Sequence, residues 1–428
     1  MVKPLRISIL REFTRFISSM TLKGYNLYKK LIYSVLGNNK TLNKWRKDFM
    51  AEVFMLFLSI KGRINFYQLE RYGQFTEQRY RQQFEKPFDF MELNKELAFS
   101  YGSGRFAIAF DPSYISKSGK LTPGLGRYWS GCAQASKWGL EISGIAAVDV
   151  DNNFAFHLEA VQTPGDKGDP NSDENLLDWY GNVLFERKDT LAQLSSHIVA
   201  DAYFAKKPFV DKVLSMDMHL VSRLRDDADL KYLFYGEKTG KKGRPRKHDG
   251  KIDWANLKPD YFEVITIDAR TTVYSAIVYS KSFKRDIKIA CEFTISEKGK
   301  VSHKIYFSTD LEMEASEIIK YYRSRFQIEF LYRDGKQHTG LEHSQARSEN
   351  KLHFHFNAAL TTINIARVCH WLSLPKEQRE AFSMADVKTL YHNMLLAERF
   401  INVFAVSPNK LKNQDIVKEL IYFGTIAA

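Results

Sequence analysis

The chain has three cysteines in 428 residues, Cys132, Cys291 and Cys369, far apart and with no C-x-x-C pair among them. That spacing offers neither a disulfide framework nor a cysteine metal site, and it fits a reducing compartment. No run of about 18 apolar residues exists, so no transmembrane helix and no membrane partner is expected. The opening residues, Met1-Val2-Lys3-Pro4-Leu5-Arg6, lack a continuous apolar region ahead of a cleavage site, so an intracellular protein is expected. Internal repeats and long low-complexity segments are missing too. What is present is globular: 44% apolar residues, with 22 Tyr, 31 Phe and 6 Trp. At this length two or three domains are expected. The net charge of +13 points to a polyanion, nucleic acid ahead of a membrane surface.

Residues 1–100 read as an all-α domain. Apolar residues recur at helical spacing through Ile7, Leu10, Phe13 and Phe16 and again through Leu27, Leu31, Tyr33 and Leu36, and Phe49 to Ile60 reads as the core helix. Lys61 to Phe84 reads as a short helix, a turn at Gly73 and a second helix opened by Thr76. That second helix carries Gln78, Arg79, Arg81, Gln82 and Gln83, residue types that reach base edges and phosphates. Two helices joined by a glycine are equally ordinary in any helical bundle.

From about residue 101 the pattern changes to mixed α/β. Arg105 to Phe110 is a short apolar strand expected to end at Asp111-Pro112. Ser116 to Gly131 reads as a loop, Leu140 to Val150 and Phe154 to Thr163 as two strands, and Leu176 to Leu194 as one helix. A second short strand, Ser196 to Ala200, ends at Asp201. A helix from Lys207 and a strand from His219 to Arg225 follow. Residues 228–303 read as a β-rich insertion. Its basic run, Lys238 to Lys247, includes Lys241, Lys242, Arg244 and Arg246, which are phosphate-contact candidates or a solvated hairpin. Residues 304–372 resume the core, and 373–428 are helical with no assignable chemistry.

One helix is expected over Tyr321 to Lys336. At 3.6 residues per turn, Tyr322, Arg325, Glu329 and Lys336 fall within roughly 60° of one another. Ile319, Phe326 and Phe330 form an apolar stripe beside them. Read alone, this is a solvated face with an Arg325–Glu329 pair. Read with two strand-end aspartates, it becomes a third carboxylate. Asp111, Asp201 and Glu329 together suit a divalent cation, and a set without His or Cys favours Mg²⁺ or Mn²⁺. Two such ions serve phosphodiester cleavage.

Tyr322-(2)-Arg325-(3)-Glu329-(6)-Lys336 resembles the Y-x2-R-x3-E-x6-K signature of bacterial insertion-sequence transposases of the DDE superfamily. Phe110 to Tyr114, Asp201 to Phe204, Val221 to Arg225, and Lys336 to Leu341 resemble the same family. The resemblance implies an RNase-H-like core interrupted by a β-strand insertion. It implies that Asp111, Asp201 and Glu329 hold two Mg²⁺, and that Tyr322, Arg325 and Lys336, with Arg223 nearby, grip DNA phosphates. It implies cut-and-paste recombination of double-stranded DNA at terminal inverted repeats, through a hairpin intermediate, with a homodimer bringing the ends together at a bacterial nucleoid. Similar enzymes stack a flipped base on an aromatic residue of the insertion, where Trp254 is the one tryptophan. The other readings are a metal-dependent endonuclease without strand transfer and a DNA-binding regulator without catalysis. A carboxylate-pair glycosidase fits neither the charge nor the cations beside Glu329.

Overall fold

Strand β1 (Phe106–Ser116) is the axis of a large mixed sheet. The computed structural model describes residues 23–38, 42–165, 175–236, 246–375, 377, 381–403 and 411–425. The chain divides into two units, Ala98–Phe330 and Met1–Leu97 with Leu331–Ala428. The first of these holds the sheet.

After β1 come β2 (Gly126–Ser130), β3 (Ala135–Asp149), β4 (Phe154–Gln162), β5 (His197–Val199) and β6 (His219–Arg223). β3 lies antiparallel to β1 in a register running from Phe106 opposite Asp149 to Ser116 opposite Gly139. β4 is antiparallel to β3, whereas β5 and β6 are parallel to β1 and to each other. The order β4-β3-β1-β5-β6 is the RNase-H-like core that the resemblance implies. β1 from Phe106 to Phe110 and β3 from Gly139 onward are buried along their whole length, as strands covered on both faces must be. On one face Phe110 meets Tyr180, Phe204 and Phe209.

Three local expectations are corrected. β1 does not stop at Asp111 but runs through Pro112 to Ser116. Its ladder to β5 covers only Ile108 and Ala109, so Pro112 sits where one side of the strand has no ladder bond to lose. The stretch 116–131 is not all loop, since β2 pairs with the start of β3. The helix expected over Leu176–Leu194 is two, Leu176–Phe185 and Lys188–Leu194. Arg187 turns back at the break and donates to the Val183 carbonyl (2.8 Å) and to Glu159 (2.5 Å).

The insertion adds β7 (Leu230–Leu233), β8 (His248–Lys251), β9 (Glu263–Asp268), β10 (Thr271–Ser280), β11 (Arg285–Ile295) and β12 (Val301–Ser308). β12 returns antiparallel to β6, with Tyr306 opposite Arg223 and Ser308 opposite Val221. The inserted strands therefore continue the core sheet through an unbroken ladder.

In the helical unit, helix Lys44–Ser59 is central and buries Phe49, Val53, Phe54, Phe57 and Leu58. Asn43 caps its start, accepting from the Arg46 amide at 2.8 Å. Its last carbonyls lack intrahelical donors. Helix Met384–Val403 supplies them: the Lys388 ammonium donates to the Phe57 carbonyl (2.6 Å), and His392 bonds the Ser59 carbonyl (2.9 Å). The region read as helix, Gly73 turn and helix is Phe66–Tyr72 and Glu77–Phe84, with Thr76 capping the second. Gly73 is required for space, because a Cβ there would lie 2.5 Å from Glu52 Oε1. The segment carrying Ile7, Leu10, Phe13 and Phe16 lies outside the described residues. Among the described residues no helix is long and apolar enough to cross a membrane.

Burial pushes the Lys388 ammonium down to about 7 from its ordinary 10.5. Between those values the unfolded chain binds more protons, so this site's contribution to stability is full only at high pH and is lost as pH falls towards 7. Lys388→Met is therefore expected to raise the melting temperature most at pH 6–7, with the gain shrinking towards pH 10. Thermal unfolding across that range measures it, and a pH-independent difference contradicts it.

Candidate active site

Three elements distant in sequence each bring one carboxylate to the site. Asp111 lies on β1 opposite Gly144 of β3, a neighbour with no side chain to cover it. Asp201 follows β5. Its carboxylate accepts from the Tyr203 amide (2.9 Å), capping a short 3₁₀ turn, and its carbonyl accepts from the Ser222 hydroxyl on β6 (2.9 Å). Glu329 sits in the first turn of helix Gln327–Gln337. Asp201 thus fills the ordinary turn-forming role of an aspartate at a strand end.

The expected continuous helix Tyr321–Lys336 is broken. Helix Ala315–Ser324 ends before Arg325, and the bonds Phe326–Arg323, Ile328–Arg325 and Glu329–Phe326 are three residues apart, a local tightening of the turn. The Arg325–Glu329 pair survives the break at 2.9 Å. The apolar stripe survives only in part: Ile319 is buried, but Phe326 is 47% exposed.

Arg325 links the acids. One guanidinium nitrogen is 2.9 Å from Glu329 and the other 3.9 Å from Asp111. Burial pushes the Asp111 carboxyl up, the Arg325 cation opposes this, and the charges of Asp201, Glu329 and Glu141 add to it, leaving it at about 7. Burial works against the Arg325 cation, yet Asp111 and Glu329 outweigh it and hold its pKa above the ordinary value. The charges of the other two expected acids and of Glu141 therefore act on Asp111, with one guanidinium against three carboxylates. An all-oxygen set with negative charge in excess fits hard divalent cations. Among the described residues no group of three or more His, Cys, Asp or Glu stands ready to hold a metal.

Arg223 ends β6, pairs with Asp226 at 3.1 Å, and has a buried Nε with no hydrogen-bond partner, as does Arg325. The Tyr322 ring rests against Tyr306 of β12 at 5.1 Å. Burial raises the Tyr322 hydroxyl pKa, and Arg325, Asp201 and Arg223 all act on it. The Arg325 guanidinium lies 5.9 Å from the Tyr322 ring. Lys336 lies on the helix of Glu329, but the division between units falls within that helix and places Lys336 in the helical one.

The remaining candidates fare unequally. Arg79 stacks over Trp45 at 5.3 Å, and Arg81 pairs with Glu77 and covers the Phe66 ring. Gln83 is not a base reader: it is buried, and its backbone and side-chain oxygens accept from Arg46 at 3.0 and 2.8 Å. Arg246 pairs with Asp249 and covers Phe234. Lys241, Lys242 and Arg244 lie outside the described residues. Trp254 is stacked on His303 at 5.5 Å, with its indole nitrogen buried. Sequence reasoning missed Glu141, which is buried, accepts from Tyr180 (2.6 Å) and Thr163 (3.0 Å), and contributes to the field at Asp111. Its signal was an acid inside the apolar run Leu140–Val150.

A family model described as the transposase DDE domain matches residues 132–365. The match takes in Asp201, Arg223, Tyr322, Arg325, Glu329 and Lys336 and begins after Asp111. None of the curated proteins matches the chain.

The raised Asp111 pKa makes its ionised form a cost to folding. Stability from this group is full below about pH 4 and is lost as pH rises through about 7. Asp111→Asn is expected to raise the melting temperature at pH 8 by about 2–5 °C, with no gain at pH 4. Mg²⁺ is expected to raise the wild-type value at pH 8 and the variant's much less. Equal responses to Mg²⁺ contradict the assignment.

Proposed function

The chain belongs to the transposase DDE family, and from that premise we propose that it cuts DNA at the ends of a mobile element and joins the freed 3′ ends to target DNA. What supports this reading is that Arg325 stands beside both Asp111 and Glu329 and that the charges of Asp201 and Glu329 reach Asp111, so acids from a central strand, a neighbouring strand end and a later helix act on one another. Asp111, Asp201 and Glu329 are the residues that would hold two Mg²⁺ or Mn²⁺. Ions bound there supply a lowered pKa for water and charge stabilisation at the leaving oxygen.

The chain's own groups do the rest. Arg325 shifts from the carboxylates to a phosphate oxygen of the DNA, for which a guanidinium has the matching fork. Arg223 and the Tyr322 hydroxyl orient the same phosphate from the β6–β12 side, and Lys336 contacts the backbone further along the helix. Arg79, Arg81 and the basic run around Arg246 contact phosphates away from the cut. The freed 3′-hydroxyl attacks the opposite strand to give a hairpin, and after its opening attacks the target. A homodimer holds the two ends, and the protein works on the nucleoid in the cytoplasm of a bacterium.

The experiment pairs double-stranded DNA carrying the element's terminal inverted repeat with a target plasmid and Mg²⁺. Wild-type protein is expected to yield both cut ends and joined product. Glu329→Ala is expected to lower cleavage by at least about a thousandfold while leaving end binding within a few-fold. Cut ends without joined product would reduce the protein to an endonuclease. Binding without any cleavage by wild type would make it a regulator.

A further inference from the structure

We propose that the β2–β3 hairpin is an aromatic platform that takes unpaired bases of DNA running from the active site. This rests on the reading of the chain as a DNA-cutting protein. In β2, Gly126, Tyr128 and Ser130 are buried, while Arg127 and Trp129 face outward. Arg127 stands opposite Trp138 and Trp129 opposite Ser136. Directly opposed residues share a face of a sheet. One outward face thus carries two tryptophans, 64% and 50% exposed, with a guanidinium beside one of them. Indole faces stack on bases of any sequence, and an arginine among them takes the phosphate.

Charge identifies the occupant. Between Asp111 and Glu141 the chain has Lys117, Lys120, Arg127 and Lys137 and no Asp or Glu. A second copy of a chain carrying +13 would bring like charge to this face. A nucleic-acid strand brings the opposite charge together with bases to stack.

The position fits as well. Trp138 precedes Gly144 on β3 by an even number of residues, and Gly144 is opposite Asp111, so the platform and Asp111 lie on the same side of β3, with the buried Leu140 and Ile142 between them. The separation along the strand is about 20 Å at 3.3 Å per residue, the reach of a few nucleotides. The link is rigid: the Tyr114 hydroxyl of β1 donates to the Trp138 carbonyl at 2.7 Å. At Gly139 an added Cβ would lie 2.6 Å from the Ile115 carbonyl, so β3 lies tight on the strand that carries Asp111. Trp254, the tryptophan expected to stack a base, spends its ring on His303.

The test uses full-length protein and two fluorescent probes, a blunt duplex and the same duplex with a single-stranded oligothymidine tail. Wild type is expected to prefer the tailed probe. The double variant Trp129→Ala, Trp138→Ala is expected to lose that preference, by roughly 5- to 150-fold for each base unstacked. Its blunt-duplex binding and melting temperature stay unchanged, because both rings are exposed. Trp→Phe at both positions is expected to restore most of the preference. A double variant that keeps the preference overturns the platform, and so does one whose oligomeric state changes by light scattering, since the face would then be a subunit contact. If wild type binds neither probe, the DNA-cutting reading fails and the platform falls with it.

Discussion

The interaction on which the site depends is the placement of Arg325 between Asp111 and Glu329. Negative charge from Asp201, Glu329 and Glu141 acts on Asp111, and carboxylates that feel one another in this way repel. Arg325 limits that repulsion with a charge belonging to the chain itself. Because its Nε has no partner in this arrangement, the guanidinium holds the acids without being fully satisfied by them. That leaves it suited to exchange carboxylates for phosphate when substrate and metal arrive.

The helix that leads into Arg325 is held by the inserted β region. β12 lies against β6, and Tyr306 on β12 supports the Tyr322 ring. Glu292 on β11 is buried and accepts from Arg323 at 2.5 Å, tying helix Ala315–Ser324 to the insertion one residue from Tyr322. The long detour in the chain between Asp201 and Glu329 therefore builds the wall against which helix Ala315–Ser324, the one leading into Arg325, is seated.

Much of this was legible in the sequence. The short apolar runs before Asp111 and Asp201, five residues in one case and three in the other, announce strands because consecutive apolar residues need burial on both faces. The four-residue spacing from Tyr322 to Lys336 announced the remaining acid and its cations. The helix break at Arg325–Phe326 was not legible, since nothing in Tyr321 to Glu329 disfavours a continuous helix. The continuation of β1 through Pro112 was hidden because proline usually ends a strand, and only the short ladder to β5 shows why it is tolerated here. Glu141 and the tryptophan face of β2–β3 were visible as residues but not as features. Which side of a strand faces solvent depends on register, and that pairing is set by distant parts of the chain.

The central claim is that Asp111, Asp201 and Glu329 act as one metal site. It is tested most directly by loading the protein with Fe²⁺ in place of Mg²⁺, generating hydroxyl radicals with ascorbate and peroxide, and mapping the backbone cuts by mass spectrometry. Cuts close to all three residues, suppressed together by excess Mg²⁺, are the expected result. Cuts confined to one of the three, or clustered elsewhere and indifferent to Mg²⁺, would contradict it.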